Sequence, residues 1–244
     1  MKAIISELKK VADAKKAVFL SRYFKTGKGE YGEGDVFLGV TVPKQRIIAR
    51  KYYKQVGLAD IAKLLESHVH EHRFTALEML VFKYEAADDQ EVKKELFDFY
   101  VKNRGGINNW DLVDTSAPYI IGDYLAYRPR SLLYRLAKSK NLWDRRIAVV
   151  SSFLFIKNGD FADIFALTEM LMTDPHPLIH KVCGWMLREV GKKNELALLD
   201  FLNKHCQSMP RIMLSYATER LPKKLKMTYT DRHVLEQFAP NFEL

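Results

Sequence analysis

Cysteine is nearly missing from this chain, with only Cys183 and Cys206 among 244 residues. Two isolated thiols build no disulfide framework, and free cysteines point to a reducing compartment. Long apolar runs are missing too. The most apolar stretch, Ile147 to Ile156, is interrupted by Ser151 and Ser152 and falls short of the ~20 residues that cross a bilayer. The opening Met1-Lys2-Ala3-Ile4-Ile5-Ser6-Glu7 meets charge too soon for a secretory signal. The expectation is a soluble, cytoplasmic protein, or a nuclear one in a eukaryotic cell, with no membrane partner.

Several kinds of chemistry lack their residues. No GxxxxGK[ST] loop cradles a phosphate, and the glycine tract at 26–39 lacks the strand-then-helix context of a dinucleotide fold. His68, His70 and His72 alternate at i, i+2, which divides them between opposite faces of a helix. No cysteine or carboxylate cluster completes a zinc set around them. No Ser-His-Asp or Cys-His arrangement is supported. Neither metal nor cofactor is expected.

What the chain does have is charge and helical periodicity. Its 39 Lys+Arg against 30 Asp+Glu give a net +9, which favours an anionic partner without naming it. Apolar residues recur at three- and four-residue spacings, as in Leu64-Leu65, Phe74, Leu77, Met79-Leu80 and Phe82, and strand-like alternation is nearly absent. The irregular tract is 26–40, TGKGEYGEGDVFLGV, which holds five of the twelve glycines. It follows one predicted N-terminal helix from Ile4 to Phe24 and precedes another that Pro43 starts in its first turn. Pro129, Pro177, Pro210 and Pro222 mark further helix starts.

The chain also repeats. EHRFTALEMLVFKYE, WDRRIAVVSSFLFIK and LIHKVCGWMLREVGK carry Arg73, Arg145 and Lys181 near their starts. The separations are 72 and 36 positions, so the period is 36 and Asn109 fills the vacant slot. Ala76, Ala148 and Gly184 keep the same register and would let helices approach closely. Such a period predicts an all-α fold: an α-solenoid of HEAT-like repeats with a concave basic groove, a single domain over 1–244 with repeats most evident over 60–222.

Candidate site residues fall on the repeated helices. Asn108 is the expected N-cap of a helix in which Asp111 stands at N3, so the ordinary reading of Asp111 is capping. Asp114 lies beyond that first turn, and neither cap nor dipole explains it; its ordinary alternative is an ion pair. Trp110 shares its face one turn earlier. Trp143 reads as core, and Arg146 as either an ion-pair partner or a groove cation. Lys181, Trp185 and Arg188 fall at i, i+4 and i+7, a cation–indole–cation stripe suited to a polyanion-facing surface. Lys44 and Arg46, at the start of the Pro43 helix, suit phosphate.

Together GVTVPKQRIIARKY, NNWDLVDTSAPYIIGDYL, NLWDRRIAVVSSFLFIK and LIHKVCGWMLREVGK resemble the DNA alkylation repair glycosylases of AlkD type, from about Leu38 to Arg220. The resemblance implies excision of cationic N3- and N7-alkylpurines from double-stranded DNA, with the DNA along the concave face and no flipping of the base. It also implies that Asp114 is the catalytic aspartate, that Trp110 and Trp185 flank the lesion, and that Arg146 contacts phosphate. Nucleoid association goes with a DNA partner, and a monomer is the default expectation because no coiled coil or exposed apolar stripe requires an oligomer. Two other readings stay open: a non-catalytic binder of branched or damaged DNA, and a scaffold for an acidic protein.

Overall fold

The computed structural model describes residues 1–230, and no strand occurs among them; a lone β-bridge joins Val36 to Val69. Contact density separates two compact units, Met1–Arg128 and a second from Pro129 on. The first holds α1 (Lys2–Lys10), α2 (Ala14–Tyr23), α3 (Val42–Tyr52), α4 (Leu58–Leu65), α5 (His70–Glu85), α6 (Gln90–Asn103), α7 (Trp110–Asp114) and α8 (Asp123–Leu125), with a π-helical turn at Pro118–Gly122. The second holds α9 (Ser131–Ala137), α10 (Leu142–Ser151), α11 (Phe153–Lys157), α12 (Ala162–Leu171), α13 (Pro177–Lys193), α14 (Glu195–His205), α15 (Arg211–Ala217) and α16 (Lys223–Thr230). The architecture is all-helical and consistent with an α-solenoid of helical repeats. No helix among the described residues is long and apolar enough to cross a membrane.

The repeat is visible in hydrogen bonds as well as in spacing. Before α5, the Ser67 hydroxyl accepts from Val69 N–H at 3.1 Å and meets His72 Nδ1 at 2.9 Å, while Arg73 donates back to the Ser67 carbonyl at 2.5 Å. Before α10, 72 positions on, the Ser139 hydroxyl accepts from Asn141 N–H at 3.1 Å and donates to Asp144 at 2.9 Å. Arg145 donates back to the Ser139 carbonyl at 3.0 Å. Each arginine also meets an aspartate, Arg73 with Asp35 at 2.7 Å and Arg145 with Asp174 at 2.6 Å. The two arginines of the repeat register therefore fasten the preceding turn to its helix.

Prolines stand where the sequence places them: within the first turn of α3 and of α13, and directly before α15 and α16. The single helix expected from Ile4 to Phe24 is instead two. Asp13 breaks it, because its carboxylate accepts from Lys15 and Lys16 N–H at 3.0 and 3.1 Å and so caps a new helix. Its own N–H donates to the Leu38 carbonyl at 2.9 Å. Gly39, at φ +81°, makes that approach possible, since a Cβ there would overlap the Asp13 carbonyl oxygen.

In the first unit α5 is the central helix, packed by α3, α4 and α6. In the second α13 is central, packed by α10, α12, α14 and α15. Both cysteines are buried and free, and burial pushes the Cys183 thiol up to about 12. Ala76 and Ala148 are fully buried. At Gly184 an added methyl would overlap the Met213 carbonyl and lie 2.6 Å from Tyr216 Cβ. Close α13–α15 packing thus requires glycine, and Gly184→Ala is expected to destabilise the protein by about 1–3 kcal/mol through overpacking. Urea denaturation measures this against Gly105→Ala, where the added methyl meets nothing within 4 Å.

Candidate functional site

From its start to its middle α5 buries polar side chains that a central helix ordinarily excludes: His70, Glu71, Arg73, Thr75 and Glu78 are each at most 4% exposed. Buried polar groups need partners, and those found here come from the glycine-rich tract, α3, α7 with the adjoining Thr115, and Ser67 just ahead of α5. The Glu71 carboxylate accepts from the backbone N–H groups of Leu38, Gly39 and Val40, at 2.9, 2.7 and 3.1 Å. Val36 exchanges backbone hydrogen bonds with His68 and His70, both at 2.9 Å. The tract is thereby fastened along the start of α5.

His70 lies between two carboxylates. Its Nδ1 is 3.1 Å from Asp35 and its Nε2 is 2.8 Å from Asp111. Burial by itself would lower the His70 pKa, but the charge and hydrogen bond of Asp111, with the hydrogen bond of Asp35, outweigh it and raise the pKa to about 9. Burial works the other way on Asp35, and there the bonds from His70 and the Arg73 charge prevail and hold its pKa below the ordinary value. The ring stacks on Phe37 at 4.6 Å and lies 5.0 Å from Phe24.

These contacts revise the reading of Asp111. The N-cap of α7 is Asn109, one residue later than expected. Asp111 Oδ1 takes the Leu112 N–H at 2.9 Å, and Oδ2 takes His70. Capping is half of its role, and anchoring α7 to α5 is the other half. Five residues are too few for a self-sustaining helix, so α7 depends on such anchors. At its far end the Ser116 hydroxyl donates to the Leu112 carbonyl at 2.6 Å and meets the Tyr100 hydroxyl at 3.0 Å. The Thr115 hydroxyl donates to Glu78 at 2.6 Å.

Trp110 opens α7 and is half-buried. Its ring stacks on Phe24 at 5.1 Å, meets the edge of Tyr23 at 6.0 Å, and its indole N–H is held by the Tyr31 hydroxyl. Asp114 closes the same helix and is also half-buried. A carboxylate there sits at the negative end of the helix dipole, which disfavours it. Arg46, an exposed residue of α3, donates to Glu78 at 3.0 Å and reaches the Thr115 hydroxyl at 3.5 Å. One predicted phosphate-binding cation is thus tethered beside the residue that follows Asp114. Lys44, in the first turn of the same helix, is exposed.

In the second unit, Trp143 is core at 7% exposed. Arg146 is 6% exposed and donates to the Leu178 carbonyl at 3.3 Å. On α13, Lys181 and Trp185 are half-buried, and Trp185 lies 6.3 Å from Phe153. The Trp185 indole N–H donates to Glu189 at 3.1 Å. Arg188 bonds Glu219 and lies 3.7 Å from Glu189, so its charge is compensated within the protein. Asp35, His70, Glu71 and Glu78 escape a reading of the sequence. The signal for the last three was the run of polar residues at the start of an otherwise apolar helix; Asp35, in the glycine-rich tract, carried none.

The sequence model described as DNA alkylation repair enzyme matches residues 4–221. Among solved structures, the chain is similar to one titled as a predicted DNA alkylation repair enzyme from Enterococcus faecalis. The two share 17% identity at a TM-score of 0.66, over 87% of this chain and 97% of that one; at that identity the likeness concerns the fold. Comparison with curated proteins gives no match.

The Glu71 staple makes a measurable demand. Glu71→Gln removes one acceptor oxygen from three converging N–H groups and is expected to cost about 1–3 kcal/mol. Amide hydrogen exchange at Leu38, Gly39 and Val40 checks it: faster exchange there is expected, and unchanged protection would refute the staple.

Proposed function

Because the chain belongs to the DNA alkylation repair enzyme family, we propose that it is a DNA glycosylase. The reaction is hydrolysis of the N-glycosidic bond of cationic N3- and N7-alkylpurines in duplex DNA, without base flipping. One observation carries the reading. Trp110 and Asp114, both partly open to solvent, stand at the two ends of a five-residue helix whose position is fixed from several sides. A carboxylate at the C-terminal end of a helix does not serve as a cap, and its place one turn from Trp110 suits a role in chemistry.

The chemistry needs little else. Alkylation at N3 or N7 makes the purine a cation and a good leaving group, so no general acid is required and one carboxylate suffices where ordinary glycosidases use two. As the base departs, positive charge grows on the deoxyribose. The Asp114 carboxylate stabilises that oxocarbenium-like state and orients the attacking water. The indole faces of Trp110 and Trp185 attract the cationic base, at about 1–2 kcal/mol when desolvated. Lys44, Arg46 and Lys181 contact phosphates. Arg146, largely covered by protein, enters as a fixed positive charge. Arg188, paired with Glu219, enters as a brace beside Trp185.

The test is release of 7-methylguanine and 3-methyladenine from methylated duplex DNA. Wild-type protein is expected to release both, and Asp114→Asn to lower kcat on the order of 100- to 1000-fold while DNA binding persists. Release that survives Asp114→Asn sinks the role given to that residue. No release by the wild type, with tight and salt-dependent DNA binding, favours a non-catalytic binder. Affinity that does not fall with salt points to a protein scaffold, whereas Lys44→Ala with Arg46→Ala is expected to flatten a steep salt slope by about two units.

A further inference from the structure

We propose that His70 is a positioning residue for Trp110 and Asp114: held as a doubly protonated bridge between Asp35 and Asp111, it fixes the helix that carries both. In its link to catalysis this rests on the glycosylase reading; in its link to geometry it does not. No part of the reading given to Asp114 and Trp110 requires a histidine.

The geometry supports a bridge in place of a buried neutral histidine. Both ring nitrogens face carboxylate oxygens, at 3.1 and 2.8 Å, and an N–H at each satisfies both. A neutral ring would leave one nitrogen lone pair against a buried carboxylate, which is repulsive. The imidazolium also packs against the rings of Phe37 and Phe24, which stack on each other at 5.1 Å, and aromatic neighbours of this kind suit a cation. Phe24 in turn stacks on Trp110. His70 thus reaches α7 twice: through Asp111 by charge, and through Phe24 by the stack behind the indole.

The charged and titratable groups around it come from three elements. Asp35 belongs to the glycine-rich tract and Asp111 to α7, while Glu71 and Arg73 are on α5 itself; the end of α2 contributes Phe24. Tyr31, which holds the Trp110 N–H, has its pKa pushed above the ordinary tyrosine value by burial. The His70 pKa is raised to about 9. The sign is fixed: a histidine pKa raised on folding lends stability that is complete below its unfolded value, near 6.5, and is lost as pH rises through about 9.

The experiment uses full-length protein labelled with 5-fluorotryptophan, with resonances assigned through Trp143→Phe and Trp185→Phe, together with base-release kinetics. In the wild type the Trp110 fluorine signal is expected to hold steady from pH 6 to 8 and to move with a midpoint near 9. In His70→Gln, which keeps hydrogen bonding but no charge, the signal is expected to be shifted or broadened at pH 7. There kcat should fall about 10-fold or more, with KM within about twofold of wild type. A folded His70→Gln protein with the wild-type Trp110 signal and kcat overturns the proposal. Should that variant not fold, a wild-type Trp110 signal that stays flat through pH 10 overturns it equally. If the wild type releases no base, the glycosylase reading fails while the fluorine titration still decides the positioning role.

Discussion

The first unit depends on one constraint: a central helix has been made to bury charge. An α5 that was apolar throughout would pack against α3, α4 and α6 with no need of particular neighbours. Instead it carries His70, Glu71, Arg73 and Glu78 into the interior, where each is strongly destabilising unless met by a specific partner. The requirement for partners organises what surrounds it. The glycine-rich tract supplies Asp35 and three backbone N–H groups, α7 supplies Asp111, and α3 with Thr115 supplies the donors for Glu78. The hydrophobic effect condenses the unit, and the buried polar set decides how its irregular parts are arranged.

That division explains which features the sequence reveals. Helix starts could be read from Pro43, Pro177 and Pro210 because proline acts through its own ring and missing N–H, which are local properties. The repeat could be read because burial of a helix face imposes a period, and Gly184 kept its register because a neighbouring backbone lies against it. Asp13 was missed as a helix break, since alanines, lysines and apolar residues on both sides of it continue a helical pattern. His70 was missed for a different reason: its partners lie 35 and 41 positions away in sequence, and no spacing rule connects them. Asp111 was legible as a capping residue and only half understood. Trp110 and Asp114 stood out by residue type, while what holds them in place did not.

Electrostatics divides the predicted cations into two kinds that composition cannot separate. Arg73 and Arg145 fasten turns to helices, and Arg188 answers Glu219. Lys44 and Arg46 remain solvent-facing, the latter held by Glu78 without being buried. A surplus of positive charge therefore overstates the number of groups able to meet a polyanion, because several cations already have carboxylate or carbonyl partners. The salt dependence of ligand binding reports the smaller set.

The Ser–Arg turn that precedes both α5 and α10 does not recur before α7. The intervening repeat begins with a short 3-10 turn, runs for five helical residues and passes into a π-helical turn. A repeat protein tolerates this because stability is pooled among neighbours, so one unit can be poor at folding by itself so long as those beside it are not. The segment carrying the aromatic–carboxylate pair is thereby released from the sequence demands that the other repeats must meet. Redundancy of architecture has become latitude for chemistry, concentrated in the repeat that contributes least to holding itself together.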